Sequence, residues 1–118
     1  MSTVKIYHNP RCSKSRQTLA MLQEKGIEPQ IIEYLKDPLT ESELVKVFSA
    51  LNKKAKEVVR TKEEIYKELS EKSSIDWEDD RAVISAIIAY PKLLERPIVV
   101  KGNKAVIGRP PENIQVLF

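Results

Sequence analysis

A chain of 118 residues suits one domain and is long enough to bury a modest core without disulfide or metal staples. Hydrophobic residues make up 42% and charged residues 31%, an ordinary soluble composition, and no apolar run approaches the length of a membrane span. The net charge of +3 is too small to argue for nucleic acid, one cysteine excludes an internal disulfide and a Cys-rich zinc site, and one histidine leaves little other metal-binding material. The expectations are therefore no metal, no bound cofactor, no nucleic-acid partner and no membrane. A free thiol, and no signal-peptide apolar region after Met1-Ser2-Thr3, fit a cytoplasmic setting.

The first strand reads from Val4 to Tyr7 or His8 and stops at Asn9-Pro10. A helix follows from Cys12 or Ser13 to about Lys25, with Leu19 and Leu22 as its apolar stripe and Gly26 just past its end. Gln30-Ile31-Ile32-Glu33, within Pro29 to Tyr34, reads as a second strand, so this span is a βαβ unit with parallel strands. Lys36-Asp37-Pro38 makes a turn. Thr40 and Glu43 then have capping-box spacing, and Leu39 and Leu44 hydrophobic-staple spacing, at the start of a helix running to about Leu51. A short helical segment spans Ala55 to Val59. Thr61 and Glu64 suggest a second capping box, opening a turn or two through Leu69, with Ser70 to Ser74 loose. Another helix starts near Asp79, presents Val83, Ile84, Ile87 and Ile88 on one face, and stops by Tyr90 because Pro91 disfavours helix before it. Ile98-Val99-Val100 and Lys104-Ala105-Val106-Ile107 read as an antiparallel hairpin around Lys101-Gly102-Asn103. Pro110 and Pro111 open a last short helix that reaches Phe118.

The order is β-α-β, a helical block, then β-β-α. It predicts an α/β fold, a thioredoxin-like mixed four-stranded sheet with a helical insertion over about residues 35–94, in a single domain over 1–118. No exposed apolar stripe stands out, so the expected state is a monomer.

The chemistry concentrates at the first strand-helix junction. Cys12 stands where a helix begins, so unpaired backbone N–H groups and the positive end of the helix dipole favour an anion there. Arg11, Lys14 and Arg16 add positive charge. Residues 1–25 carry five basic side chains and one acidic one, whereas residues 61–81 carry four basic and eight acidic. The basic end suits a small anionic ligand such as an oxyanion or glutathione, and such surroundings stabilise a thiolate, the nucleophilic form of cysteine. His8 lies just upstream. A lone cysteine is more often a small buried hydrophobe, and a lone histidine more often structural. Pro10 and the charged neighbours count against burial here. The local pattern alone leaves both readings open.

The stretch Tyr7-His8-Asn9-Pro10-Arg11-Cys12-Ser13-Lys14-Ser15-Arg16 resembles the active-site loop of the ArsC-like arsenate reductases of the glutathione- and glutaredoxin-dependent type, and is most like their YfgD-like subgroup. Val58-Val59-Arg60, Arg96-Pro97-Ile98-Val99-Val100 and Gly108-Arg109-Pro110-Pro111 are similar to the family's arginine-bearing segments. The resemblance thus extends from Val4 to Pro111. Arsenate reductases usually have Ala-Cys-Gly-Thr-Ser-Arg where this chain has Arg11 to Arg16, and many are longer at the C-terminus.

What the resemblance implies is specific. Cys12 would be the catalytic thiolate, with His8 tuning it electrostatically. Arg60, Arg96 and Arg109 would bind the oxyanion, and a cis peptide would join Arg96 to Pro97. Arsenate would be the substrate, and glutathione and glutaredoxin would resolve the adduct, since no second cysteine is present. Two other readings fit the same loop: a monothiol redox or glutathione-binding protein without arsenate turnover, and an Spx-like protein-binding regulator. Serine at position 15 removes the Cys-x-x-Cys switch that Spx-type proteins often carry.

Overall fold

Strand β1 (Val4–Tyr7) lies inside the sheet, with Val4, Ile6 and Tyr7 buried, and the chain leaves it through Asn9-Pro10. The computed structural model describes residues 4–118; Met1-Ser2-Thr3 lie outside the described residues. The chain divides into two compact units, one from the N-terminus to Asp37 together with Arg96–Phe118, the other Pro38–Glu95. Among the described residues no helix is long and apolar enough to cross a membrane.

The first unit holds a four-stranded mixed sheet in the order β2-β1-β3-β4, with β2 at Gln30–Ile32, β3 at Ile98–Lys101 and β4 at Lys104–Ile107. β1 runs parallel to β2 and antiparallel to β3, and β3 pairs antiparallel with β4. This is the mixed thioredoxin-like sheet that the element order predicts. β2 is shorter than its sequence suggests. It sits at the sheet edge, where Ile31 is largely exposed and little burial rewards a longer ladder. Lys101 pairs with Lys104, so the hairpin turn is Gly102-Asn103. Gly102 takes φ 61, the positive value that a two-residue turn with glycine first requires.

Helix α1 (Ser13–Glu24) connects β1 to β2 and ends as its sequence indicates. Gly26 takes φ 78, its N–H donates to Gln23 O at 2.9 Å, and the Ile27 N–H donates to Leu22 O at 3.0 Å. That pattern satisfies two orphan carbonyls at the helix end. Leu22 joins Val4, Ile6, Val99, Ile114 and Leu117 in one buried cluster. The buried face of α1 is nonetheless more polar than the stripe read from the sequence. It consists of Ser15, Thr18 and Leu22, with Leu19 only half-buried. Thr18 Oγ1 donates to Lys14 O at 2.8 Å and faces Gly108 O at 3.3 Å, which lets it stay fully buried.

The last segment, Pro111–Leu117, is a 3-10 helix rather than the expected α-helical turn. The reason is visible in its burial. Pro111, Ile114 and Leu117 are buried at a spacing of three, the period at which a 3-10 helix stacks its side chains. The Arg96-Pro97 peptide is cis, as the resemblance implies; Arg109-Pro110 is cis as well, which the sequence reading did not anticipate.

The second unit is helical. Helix α2 (Glu41–Leu51) carries the capping box in full: the Glu43 N–H donates to Thr40 Oγ1 at 3.2 Å, and the Thr40 N–H donates to Glu43 Oε1 at 3.2 Å. Leu39 and Leu44 are both buried, and Asn52 ends the helix at φ 56. A 3-10 turn follows at Ala55–Val58, and helix α3 spans Glu64–Lys72. Two readings need correction here. No capping box forms at Thr61, because Glu63 is the N-cap and its carboxylate lies 3.2 Å from Arg60 Nε. Ser70 to Lys72 are helical rather than loose. Ser73 Oγ donates to Leu69 O at 2.7 Å, and Trp77 stacks at 4.7 Å on Tyr66 while its Nε1 donates to Ser70 Oγ. Helix α4 (Asp80–Ala89) is capped by Asp79 and buries Val83, Ile84, Ala86 and Ile87; Ile88 is exposed, against expectation.

The two capping-box spacings make a controlled pair. Thr40→Ala should cost about 1 kcal/mol of stability in denaturant melts. Thr61→Ala, which removes no cap, should stay within about 0.5 kcal/mol of wild type. Equal losses would contradict the cap assignment.

Candidate active site

The loop from His8 to Cys12 is held by its own short-range bonds. The His8 N–H donates to Ile32 O at 2.8 Å, fixing the end of β1 to β2. Asn9, buried, accepts the Arg11 N–H on Oδ1 at 3.0 Å, and its carbonyl accepts the Cys12 N–H at 3.0 Å. Arg16 Nη1 donates to Pro10 O at 2.8 Å and clamps the turn from the helix side. Asparagine and proline suit this bend because one bonds its own backbone two residues on and the other presets φ. The loop delivers Cys12 to the N-cap position of α1.

Cys12 is half-exposed. Burial pushes its thiol pKa up, but the N–H groups of Ser15 and Lys14 and the Arg96 guanidinium outweigh that, so the net shift is downward. A partly accessible sulfur with a lowered pKa is the microenvironment of a reactive cysteine rather than of a structural one. Arg96, half-buried, interacts electrostatically with both Cys12 and Tyr34.

His8 packs against Ser15. It is buried, its Nδ1 lies 2.6 Å from Ser15 Oγ, and among the described residues no hydrogen bond joins it to Cys12. Burial lowers its pKa, Arg16 lowers it further, and Glu33 opposes them without reversing the shift. The lowered pKa favours the neutral imidazole, and the hydrogen-bond partner of His8 is Ser15. Ser15 Oγ accepts the Asn9 N–H at 3.0 Å, and its own hydroxyl proton is then available for His8 Nδ1. His8 thereby anchors the residue whose backbone N–H faces the sulfur.

The three arginines differ in setting. Arg96 meets Cys12. Arg109, in the same unit, is exposed and its guanidinium holds no ion pair or hydrogen bond among the described residues. Arg60 belongs to the second unit, where its N–H donates to Leu93 O at 2.7 Å and its Nε pairs with Glu63. Its Nη1 is shut off from solvent without a hydrogen-bond partner among the described residues. A buried guanidinium nitrogen left open in this way fits an anion ligand.

Two residues of the site escape the sequence reading. Ser15 has a legible signal, since it stands three residues after the N-cap, where the backbone N–H points back at the capping side chain. Tyr34 has none, because its contact with Arg96 crosses most of the chain.

Comparison with known proteins places the chain among its relatives. The sequence model of the ArsC family matches residues 7–117. A YfgD protein of Escherichia coli strain K12 is 50% identical over 112 residues, 94% of this chain and 92% of that one. An arsenate reductase of Neisseria meningitidis is 44% identical over 120 residues and is matched over the full length of both chains. The solved structure of an arsenate reductase from Vibrio cholerae superposes with a TM-score of 0.91 at 44% identity, covering 99% of this chain and 98% of that one.

Proposed function

The chain belongs to the ArsC family, and on that premise we propose that it is an arsenate reductase, acting through a covalent adduct on Cys12 with glutathione and glutaredoxin as reductants. The observation that carries the reading is the half-exposed Cys12 sulfur, held below its ordinary pKa by helix N–H groups and Arg96. Relatives named as arsenate reductases support the substrate, and one of them has the same short length.

The thiolate attacks arsenic(V), forming a sulfur-arsenic bond and expelling hydroxide, which leaves as water after protonation. Glutathione thiolate then attacks the Cys12 sulfur. A disulfide forms, the sulfur-arsenic pair passes to arsenic, and arsenite departs. A glutaredoxin thiol takes the glutathionyl group and returns Cys12 to the thiolate. Two thiols are oxidised for one arsenate reduced, and this chain, with one cysteine, needs both from outside. In this proposal Arg96 binds the oxyanion beside the sulfur, and Arg60 and Arg109 are further oxyanion ligands. Arg60 has an unpaired buried Nη1, and Arg109 an uncommitted guanidinium. The reducing thiols place the reaction in the cytoplasm.

The test is arsenate-dependent NADPH oxidation with glutathione, glutaredoxin and glutathione reductase. Oxidation that does not rise with arsenate overturns the reading. In the same assay Arg60→Lys should raise the arsenate KM about tenfold, because lysine keeps the charge and loses the bidentate fork. An unchanged KM removes Arg60 from the site.

A further inference from the structure

The sheet register brings two residues together at the mouth of the Cys12 loop. Tyr7, the last residue of β1, is flanked by Ile32 of β2 on one side and Ile98 of β3 on the other. β2 runs with β1 and β3 runs against it, so Tyr34 lies two residues beyond Ile32 and Arg96 two residues before Ile98, both past the end of β1. Both therefore lie at the end of the sheet where the chain leaves β1 for Cys12, one following β2 and the other preceding β3. Adjacent strands lie about 4.8 Å apart, so a gap of about 10 Å separates β2 from β3 there, a distance that one arginine and one tyrosine side chain together cross.

Tyr34 is fully buried although it follows an exposed edge strand, and its hydroxyl oxygen and Arg96 Nε are both shut off from solvent. A buried hydroxyl and a partly buried guanidinium are each costly unless bonded. A mobile arginine would also carry its charge away from the sulfur, since a free side chain samples many rotamers.

We propose that Tyr34 is a positioning residue, whose buried hydroxyl holds the Arg96 guanidinium on the Cys12 sulfur. In this proposal Tyr34 acts only through Arg96. The interaction is consistent with the electrostatics of Arg96, which burial disfavours as a cation and which Cys12 and Tyr34 restore. The inference rests on the Cys12 site described above, but its test needs no arsenate, so a failure of the arsenate reading leaves it standing and the reverse also holds.

The readout is the pH midpoint of Cys12 alkylation by iodoacetamide in the full chain, for wild type, Tyr34→Phe, Arg96→Ala and the double variant, with folding followed by circular dichroism. Tyr34→Phe should raise the midpoint by about half a pH unit or more, because the arginine relaxes away from the thiolate. The double variant should titrate with Arg96→Ala alone, since without Arg96 the hydroxyl has nothing to position. A wild-type midpoint in Tyr34→Phe, or a Tyr34→Phe shift that persists without Arg96, overturns the proposal. A purely structural tyrosine would alter the melting temperature and leave that coupling at zero. Should Tyr34→Phe fail to fold, site-specific p-aminophenylalanine at position 34 keeps the ring and replaces the hydroxyl with an aniline nitrogen, a poorer acceptor that stays neutral across the titration. Its midpoint should rise, by less than half a pH unit, and an unchanged midpoint rejects the role of the hydroxyl.

Discussion

Cys12→Ser is expected to abolish arsenate reduction and leave the fold intact. A serine hydroxyl stays protonated at neutral pH, so neither the helix N–H groups of Ser15 and Lys14 nor Arg96 can convert it into a nucleophile. The side chain is half-exposed at the N-cap, a position that serine favours, so stability should change by less than about 1 kcal/mol. Turnover should fall to the enzyme-free background in the coupled assay, and residual catalysis would sink the thiol mechanism. The same substitution has a pH signature in stability. Folding lowers the Cys12 pKa, so the thiolate stabilises the native state fully above the unfolded thiol's ordinary value of about 8.5 and loses that contribution as pH falls through the folded value. Wild type should therefore gain stability over Cys12→Ser as pH rises through that window. A pH-independent difference between the two in urea titrations would remove the electrostatic account of the sulfur.

Gly108→Ala is expected to be the most damaging small change outside the sulfur. A Cβ there would stand 2.6 Å from Thr18 Oγ1, 2.9 Å from Pro97 Cγ and 3.0 Å from Thr18 Cγ2. None of these atoms can yield cheaply. Thr18 is fully buried and bonded to Lys14 O, the Pro97 ring is rigid, and the Gly108 N–H itself donates to Pro97 O at 2.9 Å. Overpacking of this kind costs about 1–3 kcal/mol, which for a domain of this size lowers Tm by several degrees per kcal/mol. The clash also links α1, which carries Cys12, to Pro97 beside Arg96, so the alkylation midpoint of Cys12 should shift along with Tm. Thr18→Ala in the same chain removes two of the three close contacts and should recover part of the loss. A Gly108→Ala protein with wild-type Tm would show that the helix and the strand ends are not packed as described.

The sequence by itself determined every feature whose cause is local. The Cys12 junction is written in Asn9-Pro10 and the apolar run before it. The α2 start is written in Thr40 and Glu43, and the hairpin in Gly102-Asn103, since each of these rests on bonds between residues a few positions apart. The arginine-bearing segments were legible only through resemblance to a family, because partners far apart in the chain leave no periodic trace. Tertiary structure alone decided the rest. Thr61 and Glu64 have the same spacing as a working cap, but Arg60 takes the neighbouring Glu63 instead. His8 stands near Cys12 in the chain, but the fold buries it, which lowers its pKa, and gives its Nδ1 to Ser15. Arg96 and Tyr34 carry no mark of each other in the sequence. Their approach to one another follows from β2 and β3 flanking β1 and running in opposite directions, a consequence of sheet pairing that no local preference encodes.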